Sequence, residues 1–142
     1  MSGGNSLDYE LYLQTAALLG CQKWFDELCN PDELQFQIVH QVEKLWMELL
    51  AYTLLDIDER LLERATQRAV KLVGRCQRIL RLLSEQLELL EPTSPTEYQK
   101  IRLQLGNGSG QESPGLSVIV PRLPHVWRSY RSCLPEGARA VG

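Results

Sequence analysis

This chain has few of the residues that mark common catalytic and metal sites. Its 142 residues include two histidines and four cysteines, and its formal net charge is -3. The cysteines form no C-x-x-C pair, and no histidine lies at zinc-ligand spacing from them. No H-E-x-x-H motif and no G-K-[ST] phosphate loop occurs. Because the chain has no basic excess to attract phosphates, the sequence predicts no nucleic-acid partner.

Long apolar runs are also missing. No run approaches the about 20 residues that cross a bilayer, and residues 1–6 are too small and polar to begin a signal peptide. These absences predict no membrane contact, a cytoplasmic location and free thiols in a reducing compartment.

Helical periodicity runs through most of the chain. Apolar residues recur at spacings of three and four, and the hydrophobic fraction of 44% is enough for a packed core. The pattern predicts an all-α helical bundle with two long central helices. We expect a flexible leader at 1–6, a single helical domain at 7–134 and a flexible tail at 135–142.

Start and stop signals give the expected helix bounds. Asn30-Pro31 predicts a first long helix over 31–54, and Asp56 or Asp58 predicts the start of a second, longer helix that ends near Glu91. Earlier in the chain, a helix is expected from Leu7 to Leu19.

The C-terminal third carries two further signals. Ser94, Pro95 and Glu97 predict a capped helix that ends at Leu105, before a glycine-rich loop. Pro121 and Pro124 predict a break that leaves a short last helix over 125–133.

His40 and Arg102 are the candidate functional side chains. A lone histidine on an apolar helix is more often a hydrogen-bonded core residue, but a neutral imidazole can also accept a proton or orient a donor. Arg102 lies one turn after Tyr98, so a guanidinium and a ring share a face that can clamp a carboxylate. The alternative is a surface arginine that complements the end of its helix.

Two other features have plainer interpretations. The loop over 106–113 can wrap a small ligand or a cofactor carboxylate with its backbone N–H groups, or it is only a connector. Several aromatic side chains are more often core than cofactor contacts; they are Tyr9, Tyr12, Trp24, Trp46 and Trp127.

Three blocks of this sequence, taken in order, resemble the tryptophan 2,3-dioxygenase family. These are haem-dependent, all-helical enzymes that open the indole ring. The first block is Tyr9-Glu10-Leu11-Tyr12-Leu13 and the second is 32–46, which contains Phe36, His40 and Trp46. The third runs from Pro95 through Arg102 to Gly110. The resemblance covers about residues 7–113.

The resemblance implies an enzyme that acts on tryptophan or a related aromatic amino acid, with haem as cofactor. It also implies a homo-oligomer whose subunits share a site. His40 would be the catalytic residue that faces the indole N–H, and Arg102 would bind the carboxylate. The other substrate-binding positions would be Tyr9, Tyr12 and Leu13 from a neighbouring subunit, with Phe36, Tyr98 and Leu105. Gly106, Ser109 and Gly110 would lie along the haem edge.

Two departures from the family pattern affect the haem side. The family continues S-G-F-Q-S where this chain has Gln111 and Glu112, which adds a negative charge near the expected propionates. Family enzymes are longer, and their haem-ligating histidine lies in the part that this chain does not match. His125 is the other histidine and is the predicted substitute metal ligand.

Two other functions remain open. A haem-free enzyme would use His40 as an acid or base on an aromatic amino-acid derivative. A non-catalytic binding or partner subunit would keep the same fold, because one fold supports many functions.

Overall fold

The computed structural model describes residues 4–106 and 114–134, and the secondary structure within those ranges is helical throughout. The predicted tail at 135–142 lies outside the described residues, as do Ser109 and Gly110. The helices are α1 Gly4–Leu13, α2 Thr15–Leu19, a 3-10 turn Phe25–Glu27, α3 Asp32–Leu62, α4 Thr66–Glu88, α5 Pro95–Leu105 and α6 Pro114–Cys133. The all-α prediction is therefore confirmed. None of these helices has the length and apolarity that a bilayer crossing requires.

The two long helices are confirmed, but the predicted boundary between them was wrong. α3 continues past Asp56 to Leu62 and is the longer of the two, with 31 residues against 23 in α4. Asp56 does not start a helix. Its carboxylate accepts a hydrogen bond at 3.1 Å from the Nε atom of Arg60, one turn later. An acidic residue that resembles a helix start can therefore serve equally well as half of an i,i+4 ion pair.

The actual break lies at residues 63–65. Arg64 has a φ of 57°, in the left-handed region, and the Ala65 N–H donates to the carbonyl of Arg60 at 2.8 Å. This six-to-one hydrogen bond is the usual way to close a helix C-terminus. A left-handed arginine costs about 1 kcal/mol or more in place of glycine, and the sequence gives no glycine signal here.

The core lies between the second half of α3, α4 and the inward face of α6. α3 and α4 form an antiparallel hairpin, since the Gln35 amide near the start of α3 donates to the carbonyl of Leu89, just beyond α4. Ile57 and Leu72 are almost completely buried at its centre. The other members are Leu50, Leu54, Leu61, Ala69, Cys76, Ile79 and Ile119.

α6 contains both prolines that were expected to break it, and that prediction was wrong. Pro121 and Pro124 lie inside a helix of 20 residues. A proline in a helix interior costs about 3 kcal/mol, so packing must offset the loss. Ile119, Val126 and Cys133 recur every seven residues and all pack against the core. This apolar stripe, which follows the helical period, packs α6 along α3 although Pro121 and Pro124 have no backbone N–H to donate.

α5 begins as predicted. The Ser94 hydroxyl accepts a hydrogen bond from the Glu97 N–H at 3.3 Å and donates to the Glu97 carboxylate at 3.2 Å. Pro95 is the first helical residue. Ile101 is the buried residue of α5 and anchors it to the bundle.

The N-terminal helices are the least packed part of the described chain. α1 begins at Gly4, inside the predicted leader, and the expected continuous helix to Leu19 is interrupted at Gln14, which has a φ of 52°. α1 makes its substantial helix contacts with α2. The core interpretation of Tyr9, Tyr12, Trp24 and Trp127 was wrong, because all four are exposed. Trp46 is half-buried against the core.

Candidate functional site

A cavity of about 370 Å³ lies between the first half of α3, the segment after α2 and the end of α5. Its lining combines apolar side chains with amides and charged groups. The lining residues are Lys23, Glu33, Phe36, Gln37, His40, Gln41, Lys44, Ile101, Gln104 and Leu105. Three predicted site residues, Phe36, His40 and Leu105, therefore line one cavity.

Phe36 and His40 form an aromatic wall of this cavity, and Tyr98 lies close to Phe36 but is not among the lining residues. The ring of Phe36 meets the imidazole of His40 edge-on, with centroids 4.3 Å apart and planes at 68°. The ring of Tyr98 on α5 also lies near Phe36, with centroids 6.1 Å apart. Such tilted pairs are a favoured arrangement of aromatic rings. Phe36 thus links His40 and Tyr98 across two helices.

His40 has a buried carboxylate as its partner. Its Nδ1 atom lies 2.8 Å from Oε2 of Glu43, which is three residues further along α3. Glu43 is 7% exposed, whereas the imidazole is partly open to the cavity. The lone-histidine alternative is thus half correct. His40 is hydrogen-bonded like a core histidine, but it also lines a cavity.

Glu33 forms hydrogen bonds that connect the residues at the floor of the cavity. Its carboxylate accepts hydrogen bonds from Lys23 Nζ at 2.5 Å and from the Cys29 backbone N–H at 2.6 Å. Burial alone would raise the pKa of this carboxyl, but the hydrogen bonds from Lys23 and Cys29 outweigh burial, and the pKa is lowered. Lys23 also donates to the Gln104 side chain at 2.5 Å. This network joins α3, α5 and the segment before α3.

Arg102 does not line the cavity of this single chain. It lies one turn after Tyr98 and one residue after the buried Ile101, and it is exposed. Within the ranges 4–106 and 114–134, no carboxylate forms an ion pair with it. The cations that line the cavity are Lys44 and Lys23, and Glu33 already engages Lys23.

The predicted residues of the first block are remote from this cavity in one chain. Tyr9 is 64% exposed, Tyr12 is 85% exposed and Leu13 is 45% exposed. All three lie on α1, outside the cavity lining. An exposed apolar helix of this kind is available to a neighbouring molecule.

His125 is also remote from His40. On α6 the Ser129 hydroxyl donates to Asp58, and Cys133 Sγ donates to the Leu61 carbonyl at 3.2 Å. α6 and α3 therefore run in the same direction with a register offset of 71 to 72 residues. This offset places His125 level with residues 53–54, about 20 Å along the axis from His40 at 1.5 Å per residue.

The described residues give little support for the predicted haem-binding positions. Gly106 has a φ of 64°, and a Cβ added at this position would meet no atom of the described residues within 4 Å. No group of three or more His, Cys, Asp or Glu side chains in the described ranges is arranged to hold a metal ion.

A second, more apolar cavity of about 330 Å³ lies at the far end of the bundle. Val73, Tyr130 and Cys133 are among its lining residues, which come from α3, α4, α6 and Leu134. None of the predicted site residues belongs to it. Ligand binding at the His40 cavity can therefore be compared with binding at this second cavity.

Three polar residues at the site were not identified from the sequence. Glu43 is within one helical turn of His40, so its spacing was a usable signal. Glu33 was interpreted only as an acid at a helix N-terminus. Lys23 reaches the cavity from a segment without regular periodicity, and no sequence signal indicates its position.

Comparison with known proteins agrees with the resemblance. The family model described as Tryptophan 2,3-dioxygenase matches residues 1–121. The chain is 37% identical over 107 residues to the tryptophan 2,3-dioxygenase of Rhodococcus jostii (strain RHA1), covering 75% of this chain and 38% of that protein. It is 36% identical over 107 residues to the enzyme of Xanthomonas oryzae pv. oryzae (strain PXO99A), covering 75% of this chain and 36% of that protein. The chain thus spans little more than a third of the length of these relatives. On these matches and on its helical fold, the chain belongs to the tryptophan 2,3-dioxygenase family.

Proposed function

We propose that this chain forms the substrate-binding part of a tryptophan 2,3-dioxygenase-like site, which takes tryptophan or a related aromatic amino acid. The observation that carries the proposal is the cavity in which Phe36 and His40 meet edge-on at 4.3 Å, beside Tyr98. A flat ring can pack on Phe36 there, while the imidazole supplies a polar contact at its edge.

His40 is proposed to face the ring N–H of the ligand. Its Nδ1 atom lies against Glu43, and in the described part of the chain no protein group engages Nε2. An indole N–H that reached Nε2 would gain a hydrogen-bond acceptor inside an apolar wall. A ligand without a ring N–H would leave that acceptor unpaired, which costs binding free energy.

Arg102 is proposed to bind the ligand carboxylate. A guanidinium presents a fork of donors that matches a carboxylate. This role is supported by the exposure of Arg102 and by its position one turn after Tyr98, whose ring lies near Phe36. A ligand whose ring occupied the cavity would extend its carboxylate towards Arg102, for which no acid of the described residues competes.

A neighbouring copy is proposed to complete the site. The exposed Tyr9, Tyr12 and Leu13 would close the open side of the cavity, and Leu105 would contact the ligand from α5. The support is that α1 carries large, exposed apolar side chains. Among the described helices, α2 is the one with which α1 makes substantial contacts, so these side chains are left uncovered. Covering them in a homo-oligomer would remove apolar surface from water.

A haem does not fit the described residues of this chain by themselves. Haem iron requires an axial ligand, and His125 lies about 20 Å along the bundle from His40 by the register of α6. Gly106 is at the end of α5 near Leu105, but Ser109 and Gly110 lie outside the described ranges. The proposed role of this chain therefore depends on what His40, Arg102 and the aromatic residues do with the amino acid.

A haem-free binding protein or enzyme is the second candidate. The specific observation that favours it is the polar floor of the cavity, where Lys23, Glu33 and Gln104 satisfy one another. The polar groups of that network pair with one another and lie in the lining of the cavity. Titration with haemin separates the candidates, since a saturable absorbance shift that L-tryptophan perturbs would favour the dioxygenase-like site.

The test of amino-acid binding is calorimetric titration of the full chain with L-tryptophan. Arg102→Ala should weaken binding by about 2–5 kcal/mol if the ion pair is desolvated in the complex. Lys100→Ala, an exposed cation on the same helix, is the matched control and should leave the affinity unchanged. Equal affinities of the two variants would refute the carboxylate role of Arg102. No measurable binding by the unmodified chain would refute the proposed function.

A further inference from the structure

We propose that Glu43 is a positioning residue that keeps the neutral His40 ring protonated on Nδ1 and leaves a lone pair on Nε2. This tautomer is the one that can accept a hydrogen bond from a ring N–H. The role of Nε2 towards a ligand rests on the proposed function, whereas the tautomer itself does not.

The geometry of the pair carries the first step. Oε2 of Glu43 lies 2.8 Å from Nδ1 of His40, a normal hydrogen-bond distance. An ionised carboxylate only accepts hydrogen bonds, so the shared proton must be on the imidazole nitrogen. A neutral imidazole has one N–H, and Nε2 is then unprotonated.

The surroundings keep the pair in place. Glu43 is a buried residue on the same helix, so its carboxylate has little freedom to turn towards water. Phe36 packs edge-on against the imidazole at 4.3 Å and restricts rotation of the ring. A carboxylate that fixes the tautomer of a functional histidine is a common arrangement in protein sites.

The second histidine provides an internal reference with the opposite arrangement. Nδ1 of His125 lies 3.0 Å from an amino nitrogen of the Arg128 guanidinium, and Nε2 lies 3.5 Å from the same nitrogen. A guanidinium only donates hydrogen bonds, and the shorter contact has the usual hydrogen-bond length, so we expect Nδ1 to accept and the proton of the neutral ring to be on Nε2. The two histidines of the chain are therefore expected to have different tautomers.

Nitrogen NMR tests the assignment directly. Long-range ¹H–¹⁵N correlation of histidine-labelled full chain distinguishes the two neutral tautomers, at a pH high enough for both rings to be neutral. The variant His125→Gln assigns the two signal sets. We expect the Nδ1–H pattern for His40 and the Nε2–H pattern for His125. An Nε2–H pattern for His40 in the unmodified chain would overturn the proposal without any variant.

Substitution of Glu43 tests whether its carboxylate sets the tautomer of His40. Glu43→Leu removes the acceptor and fills a buried position with an apolar side chain, so the Nε2–H form, which predominates in free histidine, should return at His40. Glu48→Leu removes an exposed acid from the same helix and is the matched control, with no expected change. If His40 kept the Nδ1–H pattern in Glu43→Leu, Glu43 would not be the positioning residue.

The ligand part uses L-tryptophan and 1-methyl-L-tryptophan, which has no ring N–H. The unmodified chain should prefer L-tryptophan by about threefold to tenfold, the range of one hydrogen bond. Glu43→Leu should lose most of that preference, whereas Glu48→Leu should keep it. Equal affinity of the unmodified chain for the two ligands would overturn the ligand-facing role of Nε2. If neither ligand bound, the proposed function would fail together with that role, while the NMR result would still decide whether Glu43 sets the tautomer.

Discussion

The two halves of α3, which is one continuous helix, bury side chains of different chemical character. The first half buries two carboxylates, Glu33 and Glu43, beside a cavity with a polar floor. The second half buries aliphatic side chains, among them Ile57 and Leu61, against α4 and α6. The same helix therefore serves a candidate binding site at one end and the hydrophobic core at the other.

The difference shows why the site can contain buried polar groups. Burying an acid is unfavourable unless it is hydrogen-bonded or paired, and both carboxylates have close partners in Lys23 and His40. The apolar half supplies the burial that stabilises the fold. Changes in the second half should therefore alter stability most, and changes in the first half should alter ligand binding and pH dependence.

The largest effect on stability is expected at Leu61. Leu61→Ala should lower the free energy of unfolding by about 2–5 kcal/mol, because it opens a space in the core between the long helices and α6. Leu62 is the matched control, since it is the next residue and is 69% exposed against 6% for Leu61. Leu62→Ala should change stability by no more than about 0.5 kcal/mol. Urea denaturation measures both, and similar losses would contradict the placement of the core.

A smaller, pH-dependent effect is expected at Glu33. Its pKa in the fold is lowered, so the ionised carboxylate stabilises the protein above the usual glutamate pKa of about 4.3. That contribution is lost as the pH falls through the lower pKa of the folded state. Glu33→Gln should cost about 1–2 kcal/mol near neutral pH, as expected for hydrogen bonds to a charged group whose partner Lys23 is partly exposed.

The pH profile distinguishes this role from a general packing effect. The difference in unfolding free energy between the unmodified chain and Glu33→Gln should shrink as the pH is lowered below about 4. Glu48→Gln, at an exposed position on α3, should show no such trend. A difference that stays constant with pH would mean that the charge of Glu33 does not stabilise this half of α3.

The smallest effect is expected at Gly74, in the middle of α4. A Cβ built there meets no atom of the described residues within 4 Å, and the residue has no positive φ. Gly74→Ala should stabilise the chain by about 0.5–1 kcal/mol through the higher helix propensity of alanine. Because α4 packs against the core half of α3 and contributes no lining residue to the His40 cavity, ligand binding at that cavity should not change. Thermal unfolding and a tryptophan titration of the same variant check both statements.

The sequence predicted the elements that depend on local signals. Ser94, Pro95 and Glu97 gave the start of α5, and Asn30 gave the start of α3, where its side chain accepts from the Asp32 N–H at 3.0 Å. Phe36 and His40 share a helix face, so their meeting at one cavity also followed from spacing.

The missed features depend on tertiary packing. The helix break at Arg64 uses a left-handed arginine where glycine is usual, and α6 remains helical through Pro121 because its apolar stripe packs on α3. At the site, Lys23 reaches Glu33 and Gln104 from a segment without periodicity. None of these contacts has a local sequence signal.

The most direct test of the central claim is a ¹H–¹⁵N chemical-shift titration of the full chain with L-tryptophan. If the first half of α3 forms the ligand site, saturable shifts should centre on the backbone signals of 36–41 and 101–105, with little change around Val73 and Tyr130 at the far cavity. Shifts that centred on the far cavity, or no saturable shifts at all, would contradict the assignment of the binding site to the polar half of α3.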